Sequence, residues 1–511
     1  MKMQYKRLAY NRIVMTVILI LVQIIWFFFV MLRLARYASW ISTAFTILSV
    51  VMALYIIGKD DNSAYKVGWI VLILALPLLG GLLYLFLGDK KPSRRMRRKL
   101  QAKHRQYRDE LLKEGILPEE MEESLSRAAG TFRYVRNVSD FPAYENTQVT
   151  YYPSGEAMFA DMLAELRGAK HFIFVEYFIV EEGEMWEQIL HILEEKAAAG
   201  LDVRMIYDDF GCLARLPGGY YAQLERRGIK CIAFNPVIPL FSMVMNHRDH
   251  RKILDIDGHT AFTGGVNLAD EYININSRFG YWKDTGVRLK GEGVWSFTEM
   301  FLEMWDAFRK EDTDLARFKP HVWHPEPFSG KGVVCPYTDS PLDREALAAN
   351  VYVDILNQAK RYVYIYTPYL IVDDVIRNGL CQAAMRGVDV RIVTPGTPDK
   401  PMIFRLTRSN YPPLLRAGVR IYEYTPGFLH GKSYVCDDEF GVVGSVNMDF
   451  RSLYLHFECA TLLYRTEGLA ELKEDNLKTM ECGREITLKD CKQGLLGALL
   501  DDVLRLFAPL C

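Results

Sequence analysis

With 511 residues, the chain has room for a membrane segment and two domains of ordinary size, which excludes a small disulfide-stapled module. Lys and Arg number 62 against 63 Asp and Glu, a net charge of −1 that speaks against binding nucleic acid by bulk positive charge. Nine cysteines, none before Cys212 and none in paired spacing, read as reduced thiols of a cytosolic compartment.

Residues 1–90 are strongly apolar and read as transmembrane segments. The stretches 13–32, 38–58 and 67–88 are each long enough to span a bilayer. Two further spans after the first make a cleavable signal peptide an unsuitable reading. The polar run Lys59 to Lys66 turns 38–88 into a hairpin. The cluster Lys90, Lys91, Arg94, Arg95, Arg97, Arg98 and Lys99 puts the end of the hairpin in the cytoplasm, and so the Asp60 loop outside. The topology of 13–32 stays open, because Lys2, Lys6, Arg7 and Arg12 would then lie outside. Residues 91–135 are predicted to form a basic helical connector. Near an anionic membrane surface, each basic residue contributes about 1 kcal/mol of attraction.

Next comes an internal repeat. The segment 169–179 parallels 359–369, and 200–206 parallels 387–393. Helical segments, Met185 to Ala199 and Val375 to Arg386, lie between. Strand, helix, strand and hairpin, run twice, predict an α/β fold of two pseudo-twofold-related halves, 136–325 and 326–511, with a site at their interface.

Each half carries His-x-Lys-x4-Asp followed by a Gly-rich turn with an Asn. The first copy is His250, Lys252, Asp257 and Asn267; the second is His430, Lys432, Asp437 and Asn447. Residues two apart on a strand share a face, so each His and its Lys point the same way. A neutral imidazole serves as nucleophile or proton carrier, and an ammonium holds a phosphate oxygen. Asn267 and Asn447 are expected to add amide donors to the same phosphate. One imidazole would attack phosphorus while the other protonates the leaving alkoxide and later deprotonates the incoming alcohol. Two lysines and two asparagines do the charge neutralisation otherwise given to Mg2+, so the chemistry needs no cofactor, and no metal-ligand spacing stands out. Asp257 and Asp437 join the catalytic set as motif members, although as turn residues they are better suited to holding the hairpins. Glu176, inside the apolar strand 172–179, must be paired or functional and is a candidate for the site. Two apolar stretches, 236–245 and Met402 to Phe404, are placed to meet lipid.

The duplicated motif resembles that of the phospholipase D superfamily. The segments 262–272, 279–285, 426–432 and 447–452, with Glu458 just beyond, are similar to the bacterial cardiolipin synthase family, over nearly the whole chain. Asp255 stands where that family usually has an apolar strand residue. The resemblance implies a phospholipase D-like fold behind N-terminal transmembrane helices, a multi-pass protein of the bacterial inner membrane with cytoplasmic catalytic halves. It implies that Asp284 and Glu458 orient the two histidines. It also implies transfer of a phosphatidyl group between two phosphatidylglycerols, giving cardiolipin and glycerol, with His250 as nucleophile and His430 as acid and base. Hydrolytic phospholipase and nuclease are the alternatives within the superfamily, and a decayed lipid-binding scaffold the alternative outside it. Phosphatidylethanolamine as second substrate, exchanged His roles and a homo-oligomer all remain open.

Overall fold

The computed structural model describes residues 21–30, 32, 39–88, 93–116, 125–237, 247–311, 313–342 and 345–510. Eight strands come from the first half of the chain: β1 Thr147–Tyr152, β2 Phe172–Tyr177, β3 Asp202–Asp208, β4 Lys230–Phe234, β5 Lys252–Ile256, β6 Thr260–Gly264, β7 Tyr281–Lys283 and β8 Gly286–Gly291. Nine follow: β9 Val333–Asp339, β10 Tyr362–Tyr366, β11 Asp389–Pro395, β12 Arg420–Tyr424, β13 Gly427–Leu429, β14 Ser433–Cys436, β15 Phe440–Gly444, β16 Glu458–Tyr464 and β17 Gly483–Ile486.

These strands build two sheets of matching order, β1-β8-β6-β5-β2-β3-β4 and β9-β16-β15-β14-β10-β11-β12-β17. Only β17 lacks a counterpart. In each, three parallel strands (β2, β3, β4 or β10, β11, β12) meet the antiparallel motif hairpin (β5 with β6, or β14 with β15). The helices Glu184–Ala198 and Asp374–Met385 cross between the parallel strands, close to the ranges read from the repeat. β2 and β10 are buried along their whole length, as runs that are apolar or aromatic apart from Glu176 require of strands covered on both faces. The helix Val294–Arg309 is buried on nearly every side, with Trp295, Phe297, Phe301 and Trp305 in the core that joins the two sheets.

The motif turns show why Asp ends each copy. Asp257 (φ 54°) with Gly258 (φ 70°), and Asp437 (φ 56°) with Asp438 (φ 62°), occupy left-handed conformations that reverse the chain within the three-residue loops 257–259 and 437–439. The carboxylate of Asp257 accepts from the amides of Lys170, His171 and Phe172 at 2.8, 2.8 and 2.9 Å. That of Asp437 accepts from Lys360, Arg361 and Tyr362 at 2.8, 2.8 and 3.0 Å. Each motif aspartate therefore ties its hairpin to the start of the neighbouring central strand.

The N-terminal region departs from expectation. Among the described residues no helix is long and apolar enough to cross a membrane. Residues 21–30 are helical, while 13–20 of the first expected span lie outside the described residues. The third expected span is broken at Leu76–Pro77 into Ser63–Ala75 and Pro77–Leu87, because proline cannot continue the preceding ladder. The polar loop expected outside the cell rests on the second half: Asn62 Nδ2 donates to Asp373 Oδ2 at 2.8 Å and to the Tyr454 hydroxyl at 3.4 Å. A loop bonded to a catalytic half cannot lie across a bilayer from it. Hydropathy marks these helices as apolar; it does not show that they cross. The helix Ser39–Ile57 keeps Trp40, Ile47, Leu48, Val51 and Leu54 exposed. Beyond it, the connector forms the helix Arg94–Leu111, which packs on Val294–Arg309; Lys90 and Lys91 lie outside the described residues, as do 238–245 of the apolar stretch before His250.

Candidate functional site

Among the backbone contacts that join the halves in the described residues, two short clasps end on a motif histidine. β13 pairs in parallel with β7, Leu429 opposite Lys283, and the His430 amide donates to the Lys283 carbonyl at 2.7 Å. The next residue after Lys283 is Asp284. On the other side Asp249 bridges Phe457, and the His250 amide donates to the Phe457 carbonyl at 2.8 Å. The next residue after Phe457 is Glu458. Each clasp thus delivers an imidazole from one half onto a carboxylate from the other.

His430 Nδ1 lies 2.7 Å from Asp284 Oδ2. His250 Nδ1 lies 2.9 Å from both Glu458 oxygens. The lysines complete the cluster: Lys252 Nζ donates to the His250 carbonyl at 2.5 Å, and Lys432 Nζ stands 2.9 Å from both ring nitrogens of His430. The crossed contacts draw the two motif copies together, and the charges of both lysines act on both imidazoles. Phe178 packs edge-on against His250 at 4.9 Å, and Tyr272 and Trp282 flank His430 at 5.4 and 5.2 Å. All of these polar side chains are buried.

Burial sets the electrostatics. It pushes the His250 imidazole well below its usual value, helped by the Lys252 charge. It lowers His430 to about 4, with Lys432 adding to the effect and Asp284 opposing it. Burial also brings Lys252 down to about 8 and Lys432 to about 7, which makes both ammonium groups titratable near neutrality. The carboxylates diverge. Burial raises Glu458 well above the carboxylate range. It would raise Asp284 too, but the neighbouring His430 and Lys432 hold that group below its ordinary value.

The remaining sequence candidates fall differently. Asn267 is buried with its amide engaged: Oδ1 accepts from the Ile179 amide at 3.1 Å and Nδ2 donates to Tyr272 Oη at 2.8 Å. Asn447 has a buried Oδ1 without a hydrogen-bond partner. Asp257 and Asp437 sit at the far ends of β5 and β14 and are not brought to the imidazoles. Glu176 is not in the cluster either. It lies opposite Ile253 in the β2–β5 ladder, hence on the other sheet face from Lys252, and its Oε1 pairs with Arg251 Nη2 at 2.5 Å.

Sequence reading missed His456. Its ring stands 5.6 Å from that of His250, and its Nδ1 is 3.8 Å from Glu458 Oε1. The signal was its spacing of two from Glu458, which aligns both on one face of an extended chain. His250, His456 and Glu458 are the described residues whose donor set and proximity suit a metal ion.

Comparison with known proteins agrees with this architecture. The model of the cardiolipin synthase phospholipase D-like domain matches twice, at residues 162–287 and 352–479, and a phospholipase D-nuclease N-terminal model matches residues 47–88. An uncharacterised protein of Streptococcus mutans is 44% identical over 458 residues, covering 89% of this chain and 99% of its own length. A cardiolipin synthase of Alkalihalophilus pseudofirmus is 31% identical over 475 residues, covering 92% and 93%. Another of Bacillus cereus is 33% identical over 480 residues, covering 91% and 90%. The crystal structure of a phosphatidylserine synthase from Haemophilus influenzae shares the fold at 14% identity, with a TM-score of 0.56 over 75% of this chain and 97% of that one. With a motif, a carboxylate and a matched domain in each half, the chain belongs to the cardiolipin synthase family of phospholipase D-like proteins.

Proposed function

We propose that the chain is a cardiolipin synthase, transferring a phosphatidyl group from one phosphatidylglycerol to the hydroxyl of a second. The observation that carries this reading is the crossed arrangement: two buried imidazoles, each held at Nδ1 by a carboxylate of the opposite half, with a buried lysine beside each. A carboxylate on Nδ1 fixes the tautomer and leaves Nε2 facing the substrate. In the first step His250 Nε2 forms a bond to phosphorus, and the phosphorus–glycerol bond breaks. The departing alkoxide takes the Nε2 proton of His430, which enters this step as the imidazolium left by the previous cycle, its charge balanced by Asp284. In the second step the hydroxyl of the incoming lipid gives its proton to His430 and attacks phosphorus, and the phosphorus–His250 bond breaks. Lys252 and Lys432 hold the phosphate oxygens, with Asn447 beside them. The segments 136–325 and 326–511 act as one unit in this scheme.

The role of His430 as acid is supported by its neighbour. Asp284 stays ionised, which suits an imidazole that must carry a proton through the cycle. A lipid surface is supported by apolar groups left in water near the second half: Met402 on the helix Pro401–Ser409, and Leu495, Leu496 and Leu499 on the helix Leu495–Leu506. The second helix packs along Ser63–Ala75, which joins these leucines to the exposed N-terminal helices. An in-plane seating of these elements would let lipid reach the site without leaving the interface.

The test is purified protein with labelled phosphatidylglycerol in chelator-treated buffer, with product lipids resolved. Cardiolipin and glycerol in equal amounts are expected. Phosphatidic acid as the sole lipid product would assign the site to hydrolysis instead.

A further inference from the structure

His456 is a third imidazole beside the buried polar cluster. Its side chain is 10% exposed. Neither ring nitrogen has a hydrogen-bond partner. A buried imidazole with two unpaired nitrogens is costly unless something binds it. Its nearest polar neighbours are Glu458 Oε1, at 3.8 Å from Nδ1, and the His250 ring, at 5.6 Å. One donor atom from each of His250, His456 and Glu458 lies within 4.8 Å of the other two. Around a tetrahedral Zn2+ with N and O ligands at about 2.0–2.2 Å, such atoms stand about 3.4 Å apart. The pairs involving Glu458 are already close to that spacing, and rotation of the His456 ring supplies the rest.

We propose that His250, His456 and Glu458 form a binding site for a divalent transition metal such as Zn2+, and that filling it switches the enzyme off. The inhibitory half of this statement rests on the reading of His250 as nucleophile. Two imidazoles and one carboxylate are a donor set that Zn2+ accepts, with a fourth position left for water. The chemistry of inhibition holds for either nitrogen of His250. A metal at Nε2 occupies the lone pair that attacks phosphorus. A metal at Nδ1 displaces the proton that Glu458 holds there; the neutral ring then carries its proton on Nε2, and no attacking lone pair remains. No oxidant or reductant is involved, and chelation reverses the block. The charges of Lys252 and Lys432, which act on His250 in the same cluster, oppose a dication and hold the affinity below that of a structural zinc site.

The experiment uses the full chain in detergent, stripped with chelator. Zn2+ is expected to inhibit lipid transfer, EDTA to restore it, and His456→Asn to raise the inhibitory concentration by about tenfold or more. Direct binding is read with Co2+, whose visible absorption reports a four-coordinate N/O site. That band should be lost in His456→Asn and in Glu458→Gln, and kept when the exposed, remote His191 is changed to Asn. The Co2+ reading needs no turnover, so it stands even where a variant is inactive or where the chain proves not to make cardiolipin. Equal Zn2+ sensitivity in the parent and His456→Asn would overturn the proposal, as would a Co2+ band that survives both substitutions. Co2+ and Zn2+ binding at His456 without any loss of activity would overturn the switch.

Discussion

The two carboxylate–imidazole pairs answer the same need with different local chemistry. Asp284 holds His430 across a glycine, and Glu458 holds His250 across a serine. Gly265 and Ser445 are equivalent positions: the Gly265 amide donates to the Thr285 carbonyl at 2.9 Å, and the Ser445 amide to the Cys459 carbonyl at 2.8 Å. A Cβ at Gly265 would stand 2.0 Å from Asp284 Oδ1, so a side chain and this carboxylate cannot coexist. In the other half the Ser445 hydroxyl donates to Glu458 Oε2. The shorter acid is packed against bare backbone and stays charged. The longer one is supported by a hydroxyl and, being buried, is driven toward its neutral form. The lesson is that a duplicated site need not stay symmetric: each imidazole keeps its carboxylate, while the surroundings drive the two carboxylates in opposite directions.

The largest expected effect breaks the division of roles. His250→Ala and His430→Ala should each reduce transfer between phosphatidylglycerols on the order of 10⁴-fold or more. A phosphatidyl ester of p-nitrophenol separates them, since that leaving group needs no proton. His430→Ala should still release p-nitrophenolate and accumulate phosphatidyl-enzyme, seen by mass spectrometry of the intact protein. His250→Ala should do neither. The reverse pattern would exchange the roles.

Next comes the asymmetry of the neighbours. Gly265→Ser should displace Asp284 and cost about 10–100-fold in turnover. Ser445→Gly removes one hydrogen bond to Glu458 and should cost roughly tenfold or less. Steady-state rates on mixed micelles decide between this order and its inverse.

A smaller effect concerns pH. Lys252 and Lys432 carry their charge only below about 8 and about 7. KM for phosphatidylglycerol should therefore rise as pH increases through 7 to 8, because the phosphate loses its cations. Lys432→Arg, whose guanidinium stays charged, should flatten that alkaline rise even if its overall rate is lower.

The smallest lies away from the site. Asp255, on β5 of the motif hairpin, is fully buried and is pushed up to about 8 by that burial, with Thr298 Oγ1 donating to it at 2.7 Å. Its folded pKa lies above the unfolded value, so the native state binds the extra proton between about pH 4 and 8, and stability falls as pH rises through that window. Asp255→Asn should remove the slope and gain about 1–2 kcal/mol at pH 8. Denaturant melts at pH 5 and pH 8 would show it.

Much of this molecule could be read from local sequence, and the reasons are physical. The hairpins, the repeat and the alignment of each His with its Lys follow from strand periodicity and turn chemistry, which act over a few residues. The crossing of carboxylates between halves did not follow, because contacts such as His250 with Glu458 join residues 208 apart. Asp284 and Glu458 were reachable through family resemblance alone. Asp257 and Asp437 carry motif status without site contact, since their carboxylates are spent on amides at the far end of the hairpin. Glu176 was expected to be paired or functional; it pairs with Arg251 on its own sheet face, the one opposite Lys252. The expected transmembrane hairpin failed for a different reason. Pro77 and the bond from Asn62 to Asp373 are single-residue facts that a hydropathy window averages away.

The crossed clasps also bear on how such a chain arose. A lone ancestral half would have owned an imidazole and a carboxylate but could not have brought its own pair together. It would have had to meet a second copy of itself, each lending an acid to the other's base. Joining two such copies in one chain would turn a concentration-dependent encounter into a permanent one and free the copies to differ. Either half expressed alone should accordingly be inert, and mixing separately made halves is the way to recover the ancestral bargain.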